Sequence, residues 1–140
     1  MSNFGEILKN SVSKMNAGFD KAHDAIVDRV DGLSAAVEEL GVFACRLHPL
    51  INEPEGAVYH LTFDPNPSNP LAPLIELLTI RIPREGFPIE IGKYLKSVDQ
   101  FSPEKSIADE GELDDFFKGM LSDPSSALVQ GIGFALRSKL

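Results

Sequence analysis

The apolar positions of this chain change their period twice. From Phe4 through Leu8, Val12, Met15, Phe19, Ala22, Ile26, Val30, Leu33, Val37 and Leu40 they recur in steps of three and four residues. That spacing places them on one stripe of an α-helix. Gly18 and Gly32 interrupt the stripe, and each weakens a helix by about 1 kcal/mol relative to alanine. The pattern therefore predicts helix over residues 4–40, as one long element or as two in succession, with Asp31 as the second N-cap. Gly41 is a suitable stop.

Residues 42–94 alternate instead. Phe43, Cys45 and Leu47 point one way, with Val42, Ala44, Arg46 and His48 between them, and residues 57–63 alternate again. Pro49 to Gly56 carries turn chemistry between the two segments. Four prolines between Pro65 and Pro73 exclude helix and central strand there. Residues 74–82 and 87–94 then read as a hairpin around Pro83–Gly86. The simplest topology is a four-stranded antiparallel meander.

Helical spacing returns over residues 109–140. Asp109, Glu110, Glu112, Asp114 and Asp115 crowd the start of a pattern holding Leu113, Phe116, Phe117, Met120 and Leu121, where acidic groups suit the positive end of a helix dipole. Asp123 and Pro124 are expected to end that helix and open the last one. The whole predicts a single α+β domain over residues 1–140: an N-terminal helix or two, a four-stranded meander, and C-terminal helices on one face of the sheet, in two layers.

One consequence concerns length. A straight helix of ~36 residues spans ~54 Å, whereas the remaining ~100 residues fold to a radius of gyration near 13 Å. The N-terminal end should overhang the body and expose Phe4, Leu8, Val12 and Met15, with Phe19 as a fifth contact. Such a stripe suits another helix, from a second copy or a partner protein. A break at either glycine would instead fold it back onto its own domain.

The formal charge of −8 is spread evenly. Residues 1–41 hold four basic and seven acidic side chains, residues 42–94 four and six, and residues 95–140 five and eight. With no basic third, neither a nucleic acid nor an anionic membrane surface is the expected partner. No leader pattern or membrane-length apolar run stands out, and the single cysteine, Cys45, makes no internal disulfide, so a cytoplasmic location is expected.

Candidate chemistry is sparse. In one hairpin register His48 lies opposite His60, with Arg46 and Thr62 beside them, close enough for two imidazoles to reach one ion. A zinc site needs three or four ligands, and Arg46 would repel a cation, so no cofactor is expected. A solvated or helix-covered strand face accounts for the pair better. Cys45 is expected to point inward, where its thiol is a poor nucleophile. The acidic run lacks the ligand spacing of a calcium loop, and Gly131-Ile132-Gly133 lacks the residues of a phosphate loop.

The element order, together with Leu78-Thr79-Ile80-Arg81-Ile82-Pro83-Arg84-Glu85-Gly86-Phe87-Pro88-Ile89, resembles the ubiquitin-conjugating-enzyme and RWD type of fold. Catalytic members of that group carry a cysteine well after this turn, and here none follows Cys45. The resemblance thus implies a non-catalytic, protein-binding version. The expected function is an interaction module that self-associates through residues 4–40. Its rivals are a small-ligand or metal-dependent activity on the sheet face with His48, His60 and Arg46, and an acidic chaperone-like helper of a basic partner.

Overall fold

A computed structural model describes residues 3–138. Helix α1 (Phe4–Glu38) runs unbroken through Gly18, Asp31 and Gly32. It is followed by β1 (Ala44–Glu53), β2 (Gly56–Asp64), β3 (Ile75–Pro83), β4 (Ile89–Leu95) and β5 (Gln100–Ile107), then α2 (Glu110–Ser122) and α3 (Ala127–Arg137). The strands form one antiparallel sheet in the order β1-β2-β3-β4-β5.

The sheet has five strands where the pattern predicts four. The additional strand, β5, reads Gln-Phe-Ser-Pro-Glu-Lys-Ser-Ile and buries only Ile107 fully. As an edge strand it needs no apolar alternation, and it tolerates Pro103 because one side of its ladder is free. The meander therefore extends over residues 44–107 rather than 42–94.

Register places all three helices on one face of the sheet. Tyr59 pairs with Ile80, Ile80 with Ile91 and Ile91 with Lys105, so these four side chains share a face. His23 of α1 lies against Tyr59 with ring centroids 5.5 Å apart, and Lys105 lies over the Phe116 ring of α2. In α3, a side chain on Gly131 would strike Ile75 and touch Phe63, so that helix approaches the sheet closely. Gly133 has open space around it. The core between the layers includes Ile26, Leu33 and Val37 of α1, Leu61 and Phe63 of β2, Ile80 and Ile82 of β3, and Leu113 and Leu128 of the C-terminal helices.

The helix ends follow local chemistry. Asp109 caps α2, its Oδ1 accepting from the Glu112 amide at 2.9 Å, while Glu112 accepts from the Ala108 amide, a reciprocal arrangement that satisfies two free donors. At the α2–α3 junction Asp123 is not the cap of the last helix. It ends α2 and accepts from the amide and hydroxyl of Ser125, which hold its carboxyl below the usual range. Ser126 caps α3 through the Val129 amide, because Pro124 and Ser125 lie in the intervening turn. Helix α1 is tied to α2 by Arg29, whose Nε donates to Asp114 at 2.8 Å.

Candidate functional site

Three surfaces carry the chemistry of this fold: the free end of α1, the open face of the sheet, and a groove beneath α2.

The stripe of α1 divides into two parts. Ala22, Ile26, Val30, Leu33 and Val37 are buried, with Ile26 at 0% and Val37 at 1% exposure. The same stripe continues outward as Val12 (45% exposed), Met15 (59%), Leu8 (65%) and Phe4 (75%). About 12 residues, or ~18 Å of helix, thus carry an uncovered apolar stripe. Ile7, at the margin of the stripe, adds to the exposed surface. Phe19 belongs elsewhere: it is half-buried, packs on the core and stacks on His23 at 6.0 Å.

On the open face, the β1–β2 register sets His48 opposite His60 and Arg46 opposite Thr62. The two imidazoles are engaged separately. His48 Nε2 bonds the Thr62 hydroxyl at 3.0 Å. His60 Nδ1 lies 2.9 Å from Glu76 Oε1 and 3.1 Å from the Thr79 hydroxyl, which itself donates to Glu76. Arg46 is exposed and lines a different groove, along β1 and α1. Among the described residues no group of three or more His, Cys, Asp or Glu side chains could hold a metal ion. His48, His60, Thr62, Leu74, Glu76 and Lys96 enclose an open depression of about 310 Å³.

Cys45 points into the core, 5% exposed, and burial pushes its thiol up to about 12. A thiol that stays protonated is not a nucleophile.

A further groove lies where the sequence pattern singles out no site. Strands β3 and β4 pair only at Thr79–Gly92, Ile80–Ile91 and Arg81–Glu90. Beyond these, β3 continues along β2 to Ile75, while β4 continues along β5 to Leu95. The sheet therefore splits into a three-stranded and a two-stranded part. Two bulges flank the split. Leu61 faces Leu78 and Thr62 faces Glu76, leaving Leu77 as the extra residue of β3. Ile91 faces Lys105 and Gly92 faces Pro103, leaving Glu104 as the extra residue of β5. Bulges bend and twist the strands that hold them.

Beneath α2 the opening becomes a groove of about 880 Å³. Its apolar lining includes Leu77, Leu78, Ile91, Phe116 and Met120. The charged lining is four acids, Glu76, Glu104, Asp115 and Asp123, against Lys93 and Lys105. The doublet Leu77-Leu78, which breaks the alternation of β3, was the one sequence signal for it.

No family model matches this chain, and neither the curated proteins nor the solved structures include a match. Among the described residues no helix is long and apolar enough to cross a membrane.

Proposed function

We propose that this chain is a non-catalytic protein-interaction domain that self-associates through the free end of α1. The observation that carries the reading is the continuity of one apolar stripe, buried over residues 22–37 and exposed over residues 4–15. Helix formation over residues 4–15 leaves large apolar side chains in water with no return from burial, at ~1.5–3 kcal/mol for each that a partner would cover.

A second copy is the occupant that the stripe fits best. Laid antiparallel, two arms bring Phe4 opposite Met15 and Leu8 opposite Val12, to within one residue. This makes the surface self-complementary, as a two-fold interface requires. Glu6, Lys9 and Lys14 lie off the stripe at 100° per residue, so the seam opposes no like charges. A protein-binding, non-catalytic domain is also what the resemblance of residues 78–89 implies. The open sheet face offers no comparable argument, since each histidine is already bonded to its own neighbours.

The test is solution mass by light scattering for the wild type and for Leu8→Asp with Met15→Asp. The wild type should be a dimer and the variant a monomer with unchanged circular dichroism and Tm, because both side chains are exposed. A monomeric wild type, or a variant of unchanged mass, would remove the proposal.

A further inference from the structure

We infer that the split between β3 and β4 receives an extended segment of a partner protein as an added strand, with apolar residues on one side and basic residues on the other. This site is separate from the α1 arm and does not depend on self-association.

Three features lead to this occupant. First, the split leaves two strand margins, residues 75–78 of β3 and 93–95 of β4, with ladder partners on one side only. An extended backbone supplies the missing donors and acceptors, and recognition by strand addition relies on those main-chain bonds. Second, the helix-side lining of the opening is apolar, with Leu77, Leu78, Ile91, Phe116 and Met120. A strand laid there would bury every second side chain against it. Third, the charge is unbalanced. Glu76, Glu104, Asp115 and Asp123 outnumber Lys93 and Lys105 in the lining. Lys93 is paired with Glu104 at 3.8 Å, Glu76 is engaged by His60 and Thr79, and Asp123 by Ser125, so Asp115 is the acid with most freedom to meet a basic side chain. An excess of that sign favours lysine or arginine between the apolar residues and rejects an acidic segment.

The two bulges serve the same arrangement. Leu77 and Glu104 are the unpaired residues of their strands, and both line the groove. A regular ladder would zip β3 to β4 along their whole length and close the opening. Bulged residues in natural sheets commonly terminate pairing in this way.

The experiment uses the full chain and three acetylated, amidated octapeptides: alternating Val and Lys, alternating Val and Glu, and the Val-Lys peptide with its two central valines replaced by proline. The Val-Lys peptide should bind at least about tenfold more tightly than either of the others. It should also slow amide hydrogen exchange at residues 76–78 or 93–95. Met120→Lys should abolish binding while leaving the exchange of β1 and β2 unchanged, which shows that the variant is folded. Met120→Leu should restore it.

Equal binding of the proline peptide would mean charge attraction without strand addition. Binding that leaves both margins unprotected would place the peptide elsewhere. Margins already protected in the protein alone, in proportion to its concentration, would mean that a second copy fills the split. No binding of the Val-Lys peptide would show that the margins do not accept a strand. Each of these results overturns the inference.

Discussion

Gly18 of α1 lies backbone to backbone against Gly86 of the β3–β4 turn. A Cβ on Gly18 would fall on the Glu85 carbonyl, and one on Gly86 would fall on the Gly18 carbonyl. Gly86 also has a φ of +92°, which side chains other than glycine rarely adopt. The glycine that weakens the helical pattern is thus a point where α1 meets the β3–β4 turn. Alanine at Gly18 should destabilise the protein by about 1–3 kcal/mol through overpacking, despite its better helix propensity. Alanine at Gly32, which has nothing within 4 Å, should stabilise it by about 0.5–1 kcal/mol. Urea denaturation of the two variants gives opposite signs if this is right, and two stabilised proteins would show that the contact is not tight.

The buried thiol sets an alkaline limit. Desolvation raises the Cys45 pKa to about 12 in the folded chain, against about 8.5 in an unfolded one. The native state favours the neutral form, so this contribution is fully present below pH ~8.5 and is lost as pH rises toward 12. Burial raises the Tyr59 pKa as well, so both groups act in the same direction. Stability measured between pH 8 and 11 should fall less steeply in Cys45→Ala than in the wild type. Parallel curves would mean that the thiol is not desolvated.

Arg29 couples the first helix to the last part of the chain. Its pKa is raised, first by the hydrogen bond to Asp114 and then by the charges of Asp114, Glu110 and Asp28. Asp114 is about half exposed, so solvent screening limits the effect. Replacing it with asparagine should cost about 1 kcal/mol. Asp28→Asn, at a carboxylate 80% exposed and 3.5 Å away, should change stability by less than about 0.5 kcal/mol. Equal effects in a denaturation series would contradict the geometry.

The histidine pair should not act as a metal site. His48 is held by Thr62, and His60 by Glu76 and Thr79. Adding Zn²⁺ should leave Tm unchanged in the wild type and in His48→Ala alike. A rise in Tm that His48→Ala removes would show that the two rings can turn toward a common ion.

Much of the fold was legible because it follows from burial. The stripe from Ala22 to Val37 and the alternations of β1 and β2 were readable since one face of each is withdrawn from water. The registration of His48 with His60 followed from matching those faces. By contrast, β5 was hidden because an edge strand with Ser102, Pro103, Glu104 and Lys105 obeys backbone pairing and not apolar period. The junction at Asp123 misled because an aspartate before a proline fits a cap, while the turn places Ser126 there instead. The groove was the hardest to foresee. It arises from where β3 and β4 stop pairing, a relation between strands that no single segment encodes, although Leu77-Leu78 marked one of its bulges.

The meander has a last consequence, for the order of assembly. Every strand pairs with its neighbour in the chain, so each closure spans a short loop and carries a small entropic cost. Such local wiring favours fast folding. The long-range contacts are those of the helices, among them Gly18 with Gly86 and Arg29 with Asp114, 85 positions apart. Until α1 docks on the sheet, its core stripe is as bare as the arm beyond it, and the two form one uninterrupted adhesive strip. The mature surface for a second copy is the remnant of that strip which the fold never reaches.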